Sequence, residues 1–383
     1  MKILILHNQL WTQYKSVVFQ GIHDSFSATG DELLVLQTSI CEQSRLNIID
    51  FDLSNFEYSY PFVLLNNTSL EEASGLRTTY YWLKYMITFK PDVINLTGYA
   101  DPGTLLILIF AKIIGIKTIM TNESIYSQRL HTKSIKQYFI NLYKGLILRC
   151  TDGFLSYGIK SNDYLYRFGI SKNRIYSFLN AFDRSKFNVN EVSQTNILEK
   201  PNYLLFVGRL SEEKNLVSLI DLARRFKADS YNCTIKIVGD GPEYIDLCNM
   251  VNRELLPIQL EGAKNWNQLN AIYTSALAFI LPSLNETWGM VANEALEMGI
   301  PVICSDVCGC ADDLVINEFN GLVLNDFNFS ASNKDDTYNY LKSYLTRLME
   351  QGNIIELNQK VASIYDEKRL ISEFINAFKA IKQ

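Results

Sequence analysis

Two glutamates eight positions apart, Glu286 and Glu294, flank a glycine in NETWGMVANEALEMG, residues 285–299. Upstream, in FVGRLSEEKN, the cations Arg209 and Lys214 stand five positions apart behind Gly208. Carboxylates accept hydrogen bonds from hydroxyls, and cations pair with phosphate oxygens. These residue types suit a ligand that is both hydroxyl-rich and anionic, such as a sugar nucleotide. Each set also has a plainer reading. Acids near a helix start are favoured by the helix macrodipole, and a charged loop is often only a solvated loop.

Which reading holds depends on the elements that carry these groups. The apolar run LAFILPS is expected to be a strand ending at about Ser283, followed by a helix from Gly289 to Gly299, its C-cap. The N–H groups of Gly289, Met290 and Val291 then open an anion site at the helix N-terminus. Glu286 lies in the loop before that helix, within reach of sugar hydroxyls. Glu294 lies one turn inside, where its carboxylate can take both hydroxyls of a ribose. Gly208, Arg209 and Lys214 occupy a loop from strand to helix, where both cations can reach a diphosphate or simply face water. Gly239 and Gly241 in IVGDGPE, and Gly262 in LEGAKN, also follow strands. Each glycine permits a backbone to approach a ligand or to turn tightly.

The chain alternates strand and helix throughout. KILILHN, a helix with Val17, Val18, Ile22 and Phe26 on one face, and ELLVLQT make a βαβ opening, which implies a parallel sheet. PDVINLT, KTIMTNE, DGFLSYG and RIYSFLN continue it. A polar interval at 183–202 reads as a linker, and YLLFVGRL starts a second alternating set. The expected organisation is therefore an N-terminal Rossmann-like domain over 1–182 and a second over 183–365, facing a central cleft. An amphipathic helix over 366–383 is expected to pack back on the first. The 383 residues suit two domains of ordinary size.

Composition excludes several classes. A 48% hydrophobic content with 20% charged residues is that of a globular protein, and a net charge of −5 gives no case for nucleic acid. The N-terminus lacks the apolar core of a signal peptide. TLLILIFAKIIGI (104–116) is too short to span a membrane and reads as a buried helix. Seven cysteines without framework spacing argue for a reducing, cytoplasmic setting, and Asn-x-Ser/Thr triplets at Asn95, Asn122, Asn232 and Asn285 lie in segments read as buried or functional. Cys304, Cys308 and Cys310 raise a metal, against the plainer reading of a small-residue turn.

FVGRLSEEKN, IVGDGPE, LEGA, ETWGMVANEALEMGIPVICSD and GCADDLVINEFNGLVL, in this order over about 200–325, resemble the C-terminal domain of glycosyltransferase family 4. That family consists of retaining enzymes of α/β GT-B fold. The resemblance implies that Arg209 and Lys214 hold the diphosphate of a nucleotide sugar, with a UDP-sugar favoured over a GDP-sugar. It implies that Glu286 holds the donor sugar and Glu294 the ribose, that the Gly289–Val291 amides touch phosphate and sugar, and that Gly262 to Lys264 meet the nucleobase. No metal or cofactor is implied, and the acceptor is a glycan, lipid-linked in one reading. The chain departs from the family in its first half. Asn122-Glu123 stands where many members carry His-Asp, and Glu123 is either an acceptor-orienting group or a helix N-terminal acid.

Three rival readings remain. Asp50-Phe51-Asp52 is a D-x-D of the kind that holds a divalent cation in GT-A transferases, but the cations and helix amides already supply the positive field for a leaving diphosphate. A GT-B epimerase or a non-catalytic nucleotide-sugar binder would carry similar motifs. Finally, residues 128–174 hold nine Lys or Arg against two Asp. Within 133–149, Ile135, Tyr138, Phe139, Leu142, Tyr143 and Leu146 share a helical face edged by Lys133, Lys136, Lys144 and Arg149. That face either packs on its sheet or meets an anionic membrane, giving a peripheral location at the inner membrane face.

Overall fold

The computed structural model of the protein describes residues 1–10, 13–43, 58–99, 101, 103–126, 135–178, 180, 202–330, 336–351 and 367–383. Asp50-Phe51-Asp52, Lys133 and nearly all of the 183–202 interval lie outside the described residues. The chain divides into two compact units, Met1–Ala181 with Glu367–Gln383, and Phe182–Asp366.

The first unit contains β1 (Lys2–Gln9), α1 (Gln13–Thr29), β2 (Glu32–Ser39), β3 (Phe62–Leu64), α2 (Gly75–Phe89), β4 (Val93–Thr97) and α3 (Thr104–Ile114). It continues with β5 (Lys117–Asn122), α4 (Ile135–Cys150), β6 (Gly153–Tyr157), α5 (Gly158–Arg167) and β7 (Ile175–Phe178). The strands pair in parallel in the order β3-β2-β1-β4-β5-β6-β7. Strand β1 is central, pairing Ile3 with Leu33 on one side and Val93 on the other. Its Ile3, Leu4 and Ile5 are fully buried, as a parallel strand covered on both faces requires. Sequence periodicity missed β3 and α2. Strand β3 is three half-buried residues with no alternation to read. Helix α2 starts at a Ser74 cap that accepts from the Arg77 amide, and it buries only Thr78, Trp82 and Met86.

The second unit contains β8 (Tyr203–Val207), α6 (Leu216–Ala228), β9 (Thr234–Val238), α7 (Tyr244–Glu254), β10 (Ile258–Gly262), α8 (Trp266–Thr274) and β11 (Ala278–Leu281). There follow α9 (Met290–Glu297), β12 (Val302–Ser305), α10 (Ala311–Leu314), β13 (Gly321–Leu324) and α11 (Asp336–Gln351). Its sheet is also parallel, in the order β10-β9-β8-β11-β12-β13. The winding direction reverses between β8 and β11, so the loops after these two strands diverge at the carboxyl edge and leave a crevice there.

The last helix, α12 (Glu367–Lys382), belongs to the first unit. It buries Leu370, Phe374, Ala377 and Phe378, a spacing that fills one helical face. Phe374 lies 5.0 Å from the ring of Phe178, and Lys382 pairs with Asp92 at 3.1 Å. Gly21 on α1 leaves room for Ile371, because a Cβ there would fall 2.1 Å from its Cδ1.

Two expectations need correction. Helix α3 is not buried all round: Thr104, Ile107, Leu108 and Ala111 face the core, while Leu106, Ile109, Ile113 and Ile114 are exposed. Nor does the apolar face of α4 pack on the sheet. The residues turned inward are Gly145, Ile147 and Leu148, and Ile135, Tyr138, Phe139, Leu142, Tyr143 and Leu146 face outward. A helix one layer thick can seat one stripe on a sheet, and these two carry apolar residues on a second stripe as well.

Candidate functional site

The predicted residues of the second unit gather at the carboxyl ends of four neighbouring strands, β10, β9, β8 and β11. After β8 the chain passes Gly208 and Arg209, makes a single 3-10 turn at Glu212–Lys214, and enters α6 through Asn215 in left-handed geometry. This turn is tied to the loop after β11. The Leu284 amide donates to the Glu213 carbonyl at 2.8 Å, and the Asn215 side chain donates to the Pro282 carbonyl at 3.2 Å. The Lys214 ammonium, held there, donates to Glu286 Oε2 in an ion pair whose side chains are 18% and 15% exposed. Sequence reasoning gave these two residues separate roles. The structure brings them together at the point where the sheet reverses.

Glu286 is fixed from the other side as well. Its carbonyl accepts from Gly309 at 2.9 Å, and the Trp288 carbonyl accepts from Cys310 at 3.0 Å. A Cβ on Gly309 would lie 1.8 Å from the Thr287 carbonyl oxygen, so the Cys-Gly-Cys turn provides the close approach that straps this loop down. Burial pushes the Cys308 thiol up, as expected for a packing group.

Gly289 follows with φ +96°, and α9 begins at Met290. Ala292, bonded to the Gly289 carbonyl, is the first amide of the turn with an internal acceptor among the described residues. The amides of Gly289, Met290 and Val291 therefore form the open end of the helix, where partial positive charge collects. One turn inside the helix, Glu294 is only 1% exposed, and Tyr273 of α8 donates to its Oε2 at 3.0 Å. Trp288 Nε1 donates to Asn293 at 2.7 Å and pins the loop to the same helix. Sequence reasoning missed Tyr273, because nothing in WNQLNAIYTSA marks a tyrosine that packs over a glutamate twenty-one residues on.

The glycine loops complete the edge. A Cβ on Gly239 would lie 1.8 Å from the Gly208 carbonyl oxygen, and one on Gly241 would lie 2.4 Å from that of Leu210. These two glycines let the β8 and β9 loops touch. Gly262, at φ +67°, has open space where a Cβ would stand, and its carbonyl accepts from Gly239 at 2.9 Å. Lys264 pairs with Glu261 at 3.2 Å. Arg209 is exposed. Partial burial favours the neutral Glu213 acid, but hydrogen bonds from the Ser211 hydroxyl and its own backbone amide, with the Lys214 and Arg209 charges, hold its carboxyl below the usual range.

The first unit has its own charged group. Lys15 of α1 pairs with Glu123 Oε1 at 2.7 Å, donates to the Tyr157 hydroxyl, and stands 4.1 Å from that ring's centroid. Burial favours the neutral acid, but the Lys15 charge and hydrogen bond outweigh it and hold Glu123 below the ordinary carboxylate range. Residues 123–126 are not helical, so Glu123 is not a helix N-terminal acid. Asn122 is buried and donates to Ser161 Oγ at 2.7 Å, tying β5 to α5. Nearby His7 is buried, and its Nδ1 lies 2.9 Å from both the Gln9 carbonyl and Gln37 Oε1. Both neighbours are acceptors, so Nδ1 carries the proton. Burial, opposed by the Gln37 hydrogen bond and assisted by the Lys15 charge, lowers the His7 pKa to about 4.

The two Rossmann-like parallel units are those of the GT-B fold. The Anabaena protein HepE in complex with UDP and glucose superposes with a TM-score of 0.70 at 17% identity, over 99% of this chain and 100% of that one. Within the second unit, residues 189–336 match the family described as Glycosyl transferases group 1. A sulfoquinovosyl transferase of Arabidopsis thaliana is 25% identical over 236 residues, which cover 58% of this chain and 44% of the relative. An O-antigen chain mannosyltransferase of Salmonella typhimurium is 30% identical over 175 residues, 45% of this chain and 47% of the relative. The chain thus spans less than half the length of these two curated relatives. Among the described residues no helix is long and apolar enough to cross a membrane.

Proposed function

We propose that this chain is a glycosyltransferase that moves a sugar, with retention at its anomeric carbon, from a nucleoside diphosphate sugar to a glycan acceptor. The donor sits on the second unit, and UDP is its expected nucleotide. The observation that carries the reading is the meeting of Lys214 and Glu286 beside the open N-terminus of α9, at the reversal point of a parallel sheet. An ammonium has three donors, so one spent on Glu286 leaves two for phosphate oxygens. As the bond from the anomeric carbon to the diphosphate oxygen breaks, negative charge grows on the leaving group. Lys214, Arg209 and the Gly289–Val291 amides stabilise that charge without a metal. Glu286 accepts from hydroxyls of the donor sugar, and Glu294, aimed by Tyr273, accepts from the ribose. Glu123 with Lys15 is the proposed acceptor-side group of the first unit, where a lipid-linked glycan is one candidate acceptor.

Transfer from labelled nucleotide sugars to a panel of glycan acceptors, with and without EDTA, tests the reading. Activity should survive EDTA, and Arg209→Ala or Lys214→Ala should lower it by about a hundredfold or more, the scale seen when one preorganised charge partner is removed. Loss to EDTA with recovery in Mg²⁺ or Mn²⁺ would overturn the metal-free assignment. Release of free product from donor with no acceptor present would point instead to an epimerase.

A further inference from the structure

Helices α2, α3 and α4 share one core on one face of the first sheet: Trp82 and Met86, Ile107 and Leu108, and Ile147 and Leu148 all pack there with Ile94 and Leu96. Their outer surfaces carry large apolar side chains in the open. Leu106 is 57% exposed and Ile113 75% on α3, while Tyr138, Phe139 and Leu142 are 67%, 62% and 58% exposed on α4. On α2 the same holds for Leu76, at 89%. Single exposed apolar residues need no explanation, but a patch built from three helices of one layer does.

Charge says what covers it. The three helices together contain no Asp or Glu and six cations: Arg77, Lys84, Lys112, Lys136, Lys144 and Arg149. The whole chain carries a net charge of −5, so this surface departs from the rest in sign. The acids that flank these helices, Glu71, Glu72, Asp92, Asp101 and Asp152, lie in the adjoining loops, where Asp92 pairs with Lys382 and Asp152 accepts from the Thr118 amide. Apolar side chains interleaved with cations and free of acids fit the boundary between acyl chains and anionic headgroups. A self-complementary protein interface would bring six like charges against six others, which disfavours a second copy as the partner.

We propose that the outer surface of α2, α3 and α4 is a docking face for an anionic bilayer, holding the first unit at the membrane surface without spanning it. The inference goes beyond the reaction, and it stands whether or not the acceptor is lipid-linked.

The test is co-flotation of the full chain with vesicles of phosphatidylcholine alone or mixed with phosphatidylglycerol, at low and high salt. Wild type should float with the anionic vesicles at low salt, several-fold less with neutral ones, and less again as salt screens the headgroups. Leu106→Ser/Ile113→Ser/Phe139→Ser should lower partitioning about tenfold or more even at low salt. Each near-surface cation is worth about a fivefold gain, so Lys112→Glu/Lys136→Glu, at two exposed positions, should lower partitioning by at least about twentyfold. All five substitutions are on the outer surface, and thermal melts matching wild type confirm folding. If a variant fails to fold, the wild-type dependence on lipid charge and salt still decides. Wild type that stays unbound from anionic vesicles at low salt overturns the proposal. So does a concentration-dependent dimer that the serine variant abolishes while vesicles have no effect.

Discussion

At the scale of single residues, the two glutamates that share one short stretch are held in different ways. Glu286 shares its charge with Lys214 at the crevice, whereas Glu294 is buried and aimed by the Tyr273 hydroxyl. Glu286→Gln should therefore leave nucleotide affinity nearly intact while turnover collapses, and Glu294→Gln should mainly weaken nucleotide binding. Tyr273→Phe should resemble Glu294→Gln, weakening binding by about 1–3 kcal/mol through a carboxylate left short of a partner. Calorimetric titration with UDP beside turnover assays separates these outcomes, and equal losses of affinity for Glu286→Gln and Glu294→Gln would refute the division. His7 makes a pH prediction. Its folded pKa of about 4 lies below the ordinary 6.5, so the unfolded chain binds more protons between those values. The stability it contributes is full above about pH 6.5 and lost as pH falls toward 4. Between pH 7 and pH 5 this linkage removes about 2 kcal/mol, and His7→Gln should flatten that part of the denaturation profile.

At the scale of elements, glycines that look alike in sequence do different work. Gly239 sits against the Gly208 carbonyl, so Gly239→Ala must push apart the β8 and β9 loops. It should cost more than about 2 kcal/mol of stability in the second unit and weaken nucleotide binding too. Gly262 has positive φ but open space, so Gly262→Ala carries only the left-handed penalty of about 1 kcal/mol. Urea melts of the two variants with UDP titrations check the contrast, and similar losses for both would show that the loop contact is unimportant. From β8 to β12 the elements of the second unit were legible, because each strand is a short apolar run closed by Gly, Pro or Asp; α10, β13 and α11 beyond them were not read as elements. Strand β3 and helix α2 were not, since neither has a clean apolar period.

At the scale of the whole molecule, the C-terminal helix is as much a part of the first unit as its strands. Leu370, Phe374 and Phe378 are each buried, and each contributes about 1.5–3 kcal/mol by burial. Together that is a large share of the roughly 5–15 kcal/mol that stabilises a domain. A chain ending at residue 366 should lose the cooperative melt of the first unit while the second still gains thermal stability from UDP. A truncated chain with both melts unchanged would contradict this. The amphipathic spacing of Leu370, Phe374, Ala377 and Phe378 showed in the sequence that this helix must cover something. The sequence by itself likewise determined two sets of parallel βαβ units and the motif order of the second, because side-chain periodicity and strand-end glycines are local properties. Only tertiary structure decided that Lys214 meets Glu286, that Tyr273 aims Glu294, and that Lys15 takes up the charge of Glu123. Each joins residues from separate strands or helices, and strand order, which sets those neighbours, leaves no local trace. The same holds for α3 and α4. Their apolar stripes are plain in the sequence, but only the packing of one stripe on the sheet reveals that the other faces outward.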